Sequence, residues 1–337
     1  MRRVVLGQTG VETSRLGFGC VQLTSRSQQF AMYMLEQALA LGITHFDVAR
    51  SYGFGRAEGI LGRFLRSQRS RITVATKFGI EPPSGLAGDR RVINLAKRVL
   101  GPFPRLLRRA RQHGAGLVRA GAFSPAAAVR SLETSLRELG TDYVDILLLH
   151  EATVADAASQ PLVEALQGQV AKGTVRCLGI ASACGKVGGK VSLLPAAYQV
   201  LQFDDNAMSR NYQKLNHGDG YACITHSIFV PATPLREASA AHPHITQRFS
   251  GLMNLDLANP RAIGSLLLHY ALWSNPGGVV LFSSSDPTRL AVNVQDAAEP
   301  IFDASQLSRF TEFVDAVLQA QSHATGAASP SSELQAL

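Results

Sequence analysis

The chain has 337 residues, 46% of them hydrophobic and 17% charged, which is ample apolar material for a large core and excludes a chain that is disordered throughout. At roughly 100 to 200 residues per domain the length suggests two domains, yet barrels of alternating strands and helices run to about 250 residues or more as one. The net charge of +8 raises nucleic acid or an anionic surface as partners, so its location matters more than its size.

No apolar run reaches the roughly 18 uncharged residues of a membrane helix. The start, Met1-Arg2-Arg3-Val4-Val5-Leu6-Gly7, has neither the apolar segment nor the cleavage site of a signal peptide. A soluble cytoplasmic protein without a membrane partner is expected. Cys20, Cys177, Cys184 and Cys223 stand far apart with no CxxC pair. They signal neither a disulfide frame nor a metal site and are expected to be reduced, mostly buried small hydrophobes.

In chain order, Arg3 to Leu6, a Gln8-Thr9-Gly10 turn and Val11 to Ser14 predict a hairpin that could plug one end of a barrel. Short β-rich runs follow at Leu16 to Gly19, Thr44 to Val48, Ile72 to Lys77, Val144 to His150, Val175 to Ser182, Tyr198 to Phe203, Ala222 to Ser227 and Val279 to Ser283. Between them lie stretches with helical periodicity, such as Met32, Leu35, Ala38 and Leu39, or Val129, Leu132, Leu136 and Leu139. Eight strands with intervening helices favour an α/β fold, a closed (β/α)8 TIM barrel over residues 1–322. The alternative, an open doubly wound sheet, requires a glycine-rich phosphate loop that is not present: Gly17-Phe18-Gly19 opens no G-x-G-x-x-G. A last helix is expected over Ala304 to Ala320, and the Ala, Ser, Gly and Pro-rich end, 323–337, reads as a frayed tail.

One stretch breaks the alternation. Residues 81–122 follow the third strand and are far longer than the roughly 2 to 6 residues of an ordinary connection. They hold nine Arg and Lys against Glu81 and Asp89, a surplus of seven out of the chain's eight. Such an insertion belongs on the catalytic face. It reads either as a solvated basic lid, with Arg105, Arg108, Arg109 and Arg111 beside Leu106 and Leu107, or as a surface for an anionic substrate or cofactor phosphate. Nucleic acid is the least favoured partner, because Phe103 is the only aromatic ring of Phe, Tyr or Trp amid the charges.

Catalytic residues of such barrels sit where strands end and loops begin. Asp47 ends the second run and Tyr52 follows five residues later, Lys77 ends the third, and His150 ends the fourth. Each polar strand end is by itself as well explained by structure or exposure. Together they form a proton-delivery unit: an ammonium beside a phenol favours the phenolate and lowers its pKa of about 10, Asp47 holds Lys77 charged, and His150 donates to a carbonyl oxygen on which charge develops.

These residues lie in stretches that resemble the aldo-keto reductase family: Leu16-Gly17-Phe18-Gly19, Phe46-Asp47-x-Ala49-x-x-Tyr52-Gly53 with Glu58 beyond, Thr76-Lys77, and Leu136-x-x-Leu139-Gly140-Thr141-Asp142-Tyr143-Val144-Asp145-Ile146 running into His150. Later ones are Gly173-x-Val175-Arg176-x-Leu178-Gly179-Ile180, Gln202, and Ser284-Ser285-Asp286-Pro287-x-Arg289-Leu290-x-x-Asn293. The likeness runs from residue 3 to about 315. It implies a (β/α)8 barrel and reduction of a small-molecule aldehyde, ketone or aldose with NADPH or NADH, or the reverse oxidation; the anionic character of the substrate is an expectation from the basic insertion alone. It implies Tyr52 as general acid, Lys77 and Asp47 as its tuning partners and His150 as the carbonyl-orienting residue. The nicotinamide would lie beside Ser182, Gln202, His226 and Ser227, and the adenosine phosphate near Ser283, Ser284, Ser285, Arg289 and Asn293.

The chain departs from the family at three of these positions. Ala183 stands where Asn usually helps hold the nicotinamide amide, His226 where a tyrosine usually stacks, and Ser283 where many NADP-preferring members carry Lys or Arg. A hydroxyl cannot supply that positive charge, so Arg289 is the cation that remains. A catalytically weak, cofactor-binding regulatory subunit on the same barrel is therefore the competing expectation.

Overall fold

The computed structural model describes residues 1–82, 122–215 and 220–325. All nine basic residues of the 81–122 insertion, and the tail from 326, lie outside the described residues. Ten strands are described: β1 (Arg3–Val5), β2 (Glu12–Ser14), β3 (Leu16–Gly19), β4 (His45–Asp47), β5 (Thr73–Phe78), β6 (Val144–His150), β7 (Val175–Ala181), β8 (Tyr198–Asp204), β9 (Ala222–His226) and β10 (Val279–Phe282). Strands β3 to β10 close into a parallel barrel in sequence order, with β10 pairing β3. The eight expected runs are these eight strands, with ends that differ by one residue at most.

The hairpin β1–β2 is antiparallel, with Arg3 opposite Ser14 and Val5 opposite Glu12. It caps the amino-terminal end of the barrel. Ser14 Oγ accepts from the backbone of Thr44 and His45, and its own N–H donates to Thr44 Oγ1 at 2.9 Å. Leu6 and Val11, in and beside its turn, pack on residues that fill the barrel lumen, among them Ala75, Ile146, Leu148, Val200, Ile224 and Leu281. Because strand side chains alternate, the other set faces outward. Phe18, Phe46, Val74, Leu147 and Leu149 pack against the helices and form the larger core. Gly17 is one place where the lumen demands glycine, since a Cβ there would collide with Leu281 and His45.

The helices that wrap the first half are α1 (Gln28–Ala40), α2 (Ala57–Leu65), α3 (Pro125–Leu139) and α4 (Gln160–Ala171). Ser27 and Ser124 cap the first and third by accepting from Phe30 N and Ala127 N. Pro125 opens α3 and the left-handed Gly140 ends it, each at the position that chemistry prefers. In α1 the buried stripe is Ala31, Met34, Leu35 and Ala38, so the expected Met32 and Leu39 lie at its margins.

The second half is less regular. Between β9 and β10 the chain forms three helices, α5 (Ala232–Ala241), α6 (Pro243–Met253) and α7 (Pro260–Ser274), followed after β10 by α8 (Pro287–Asp296) and α9 (Ala304–Thr325). Helices α5, α6 and α7 pack on α9 around Phe249, Tyr270, Phe310 and Phe313, a separate apolar cluster beside the barrel. The last helix runs five residues past the expected Ala320, and Val314 and Val317 on it are buried in this cluster.

Candidate active site

The sites expected at strand ends are brought together at the carboxyl ends of the barrel strands. Asp47 is the last residue of β4 and His150 of β6, while Lys77 precedes the last residue of β5. Asp47 and Lys77 are almost wholly buried. The Lys77 ammonium donates to Asp47 Oδ1 at 2.5 Å and to the Val48 carbonyl at 3.2 Å. Gln202, on β8, donates from Nε2 to the other carboxylate oxygen, Oδ2, at 2.8 Å. Asp47 is thus pinned from both sides and presents a fixed negative charge to the lysine.

Tyr52 stands in the loop after β4. Its ring centre lies 5.1 Å from the Lys77 nitrogen and 6.1 Å from the His150 ring centre, edge to face with the latter. Gly53, Phe54 and Gly55 all have positive φ in the turn that returns the chain to α2. At Gly53 a Cβ would collide with Thr24, so glycine there is a packing requirement as well as a conformational one.

The electrostatics follow from burial and one charge pair. Burial would lower Lys77, but Asp47 above all, then Tyr52, more than offset it, so the ammonium titrates above its ordinary value. Burial raises the Tyr52 phenol and the Lys77 charge only partly opposes this, so the net direction is upward. The sequence reading, a phenol lowered by its lysine, has the right sign for that one interaction and leaves out the larger desolvation. Burial, with the Lys77 charge second, pushes His150 down to about 3, and burial also lowers His226. Both imidazoles are therefore neutral near pH 7. A neutral imidazole retains one N–H to donate, and the Nδ1 of His150 is buried with no partner.

A cavity of about 540 Å³ opens onto this group and is lined by Asp47, Tyr52, Lys77, His150, Ser182, Gln202, His226, Ser227 and Ser283, with Phe229 and Val230 on an apolar side. A second, about 1270 Å³, is lined by Arg289 and Asn293 and shares Phe229 and Ser283 with the first. Seven of the nine expected cofactor contacts therefore line one long groove. Ser284 and Ser285 line a small recess with Phe30 and Met34 that shares Gly19 and Gln22 with the catalytic cavity, and the Ser284 hydroxyl donates to Asp286 O and accepts from Asp286 N within its own turn. Asp286 in turn caps α8 by accepting from Thr288 and Arg289 N–H groups. Ser182 Oγ donates to Ala152 O, and His226 Nδ1 lies 2.8 Å from Ser227 Oγ.

Two features escaped the sequence reading. Glu151, next to His150, lines the catalytic cavity with φ 61° and is held there by Lys186, whose ammonium reaches its carboxylate at 2.8 Å. A charged residue directly after a strand-ending histidine was the available signal. The other is Arg50, buried beside Glu58 with their side chains 3.0 Å apart; only the pairing across the loop reveals it. Among the described residues no group of three or more His, Cys, Asp and Glu could hold a metal ion, and no helix is long and apolar enough to cross a membrane.

Residues 15–187, just over half of the chain, match the profile of the aldo/keto reductase family. The chain belongs to the aldo/keto reductase family. The match of this aldo/keto reductase ends before Gln202 and the stretch from Ser283 to Asn293, so sequence likeness is strongest in the half that carries Asp47, Tyr52, Lys77 and His150. It is 28% identical over 182 residues to the uncharacterized oxidoreductase YqkF of Bacillus subtilis, covering 54% of this chain and 49% of that one. It is 30% identical over 188 residues to 6-dehydroglucose reductase of Agrobacterium fabrum, covering 54% of each. The chain thus spans about half the length of the curated relatives it matches. The fold extends further: the aldo-keto reductase AKR11C1 from Bacillus halodurans superposes with a TM-score of 0.67 over 93% of this chain and 96% of that one at 19% identity.

Proposed function

We propose that this aldo/keto reductase interconverts a carbonyl compound and the corresponding alcohol, with Tyr52 as the proton donor in reduction and acceptor in oxidation. The observation that carries the reading is the buried Asp47–Lys77 pair set against Tyr52 and a neutral His150 in one cavity. A carbonyl oxygen seated between phenol and imidazole meets two neutral donors. As charge grows on that oxygen the Tyr52 proton moves to it, and the Lys77 ammonium stabilises the phenolate left behind. Asp47 keeps the ammonium charged and fixes its position, and Gln202 fixes Asp47.

NADPH or NADH, when bound, supplies or accepts the hydride. The residues present fit such a group. The Oε1 of Gln202 is buried with no partner on the cavity wall, a free acceptor for an amide N–H. Ser182, His226 and Ser227 lie beside it, and Arg289 and Asn293 line the far part of the groove, where a phosphate would find a cation. The substrate is taken to be a small aldehyde, ketone or sugar, as the name of the Agrobacterium relative suggests for its own case. The decisive assay follows cofactor absorbance with a panel of aldehydes, ketones and sugars, in both directions and with both cofactors. Turnover that Tyr52→Phe abolishes supports the reading, and cofactor binding without turnover on any carbonyl refutes it. Ala183, in the position of the usual amide anchor, favours a second reading as a cofactor-binding regulatory subunit, which that last result would support.

A further inference from the structure

The loop that carries Tyr52 has little regular structure to hold it. Its carbonyl accepts from Gly55 and Ala57, its N–H donates to Ala49, and three successive residues after it are left-handed. Phe54 is one of them, a conformation that a side chain makes costly. The phenol nonetheless has to stand within a fixed distance of an ammonium on a different strand.

Three buried side chains connect the two. Arg50, two residues before Tyr52, donates from Nη1 to Glu58 Oε2 at 3.0 Å. Glu58 lies on the far side of the tyrosine, in the first turn of α2, where the helix dipole favours a carboxylate. Its other oxygen, Oε1, accepts from Thr76 Oγ1 at 2.7 Å, and Thr76 is the residue immediately before Lys77 on β5. Thr76 faces out of the lumen and Lys77 into it, as strand alternation requires. The Glu58 carboxylate, 1% exposed, therefore ties both flanks of the tyrosine loop to the back of the strand whose front carries the lysine.

We propose that the Arg50–Glu58–Thr76 chain is a positioning device that sets the distance between Tyr52 and Lys77. The proposal rests on the reading of Tyr52 as the proton donor. None of the three residues touches the reacting atoms; they act through the loop. Arg50 extends the brace, since its Nη2 lies 3.6 Å from Glu81 Oε2, and Glu81 Oε1 accepts from Ser131 on α3. The charged and titratable groups that bear on the phenol itself are Lys77, Asp47 and Cys20, with the His150 ring against its edge.

The test cuts the brace without disturbing its charges. Thr76→Val keeps the β-branched shape that suits a strand and removes only the hydroxyl donor, while Thr76→Ser keeps the donor. Loss of one hydrogen bond to a buried carboxylate is expected to lower kcat by about tenfold in the valine protein, with the cofactor Kd unchanged and the serine protein within about twofold of wild type. The second readout needs no turnover. In protein labelled with tyrosine 13Cζ, the resonance lost in Tyr52→Phe identifies the phenol, and its pH titration should move further above the free value of about 10 in Thr76→Val, because the phenol loses part of the Lys77 charge that opposes its burial, but not in Thr76→Ser. A folded valine variant with wild-type kcat and wild-type titration overturns the proposal. So does equal loss in both variants, which would mean packing rather than the hydrogen bond, and so does a fall in kcat with an unmoved titration. If no carbonyl is turned over by the wild type, the titration still decides the brace, and only the proton-donor reading falls.

Discussion

Replacing Lys77 by methionine separates what the buried pair does for stability from what it does for chemistry. In the wild type the Asp47 carboxylate receives Lys77 on one oxygen and Gln202 on the other, 3% exposed. Lys77→Met fills nearly the same volume and leaves that carboxylate with the amide alone. Breaking a buried pair from one side costs about 3–5 kcal/mol. At about 2.1 cal/mol/K per residue, 337 residues unfold with an entropy of about 0.7 kcal/mol/K, so Tm should fall by about 4–7 °C. The pH dependence has a defined sign. Lys77 titrates above its ordinary 10.5 in the folded state, so its contribution is complete below 10.5 and fades as pH rises through the folded value. The gap in Tm between the two proteins should thus be flat from pH 6 to 9 and narrow only at higher pH. Turnover at pH 7 should fall by at least about 100-fold, since the phenol loses the charge that makes its proton available. The double variant Lys77→Met/Asp47→Asn should regain most of the Tm, because no bare charge stays buried, and none of the turnover. Calorimetry and steady-state kinetics on the three proteins check this. A methionine variant with wild-type Tm would show that Asp47 is solvated or rearranged, and one with wild-type turnover would remove Lys77 from the mechanism.

Tyr52→Phe should lower turnover by at least about 100-fold and leave cofactor affinity within about twofold in a fluorescence titration, because the hydroxyl is the only group lost. Ala183→Asn, at an exposed position directly after Ser182 of the cavity wall, should tighten cofactor binding by about 0.5–1.5 kcal/mol by restoring a polar partner; unchanged affinity in isothermal titration would mean that the alanine is accommodated by other contacts. His45 is wholly buried in the barrel lumen with both ring nitrogens unpartnered, and burial pushes it from 6.5 down to about 4. The unfolded chain therefore binds this proton first, stability falls as pH drops from 6.5 toward 4, and by pH 4.5 the loss amounts to about 2.5 kcal/mol. Denaturant melts of His45→Leu should lose about that much less than wild type between pH 7.5 and 4.5.

The barrel was legible because its strands are short, apolar and punctuated, and because a strand buried on both faces leaves a contiguous signal such as Val144 to His150. Strand ends told where Asp47, Lys77 and His150 would converge, since closure of a parallel barrel puts all carboxyl ends on one side. What the chain order could not express is partnership across distance. Nothing local announces that Gln202 holds Asp47, residues 155 apart, or that Arg50 reaches over Tyr52 to Glu58. Desolvation is similarly invisible. The sequence reading named Lys77 as the group that lowers the phenol, and only the closed cavity reveals how much burial works against it. The local role of Ser284 was equally hidden: its hydroxyl and the Asp286 carboxylate hold the turn that opens α8.

The residues that depart from the family's pattern are distributed unevenly over the site. Asp47, Lys77, Tyr52 and His150 carry the resemblance, and they lie within the matched residues 15–187, as does Ala183. Ala183, His226 and Ser283 depart from it and line or border the groove, and Glu151 adds a carboxylate at the cavity wall beside His150. On the proposed reading this is a division of labour: proton delivery depends on a charge pair whose geometry tolerates little change once buried, whereas recognition is spread over many weak contacts, any of which can be exchanged for about 1 kcal/mol. A chain under those two constraints keeps its acid and alters its grip. The consequence is that Ala183 and His226 should tune affinity and leave the proton transfer intact, so that variants there change KM for the cofactor and variants at Lys77 or Tyr52 change kcat. If substitutions at Ala183 and His226 instead changed kcat as strongly as those at Tyr52, the groove would be part of the chemistry, and this separation between delivering a proton and holding a cofactor would not exist in this protein.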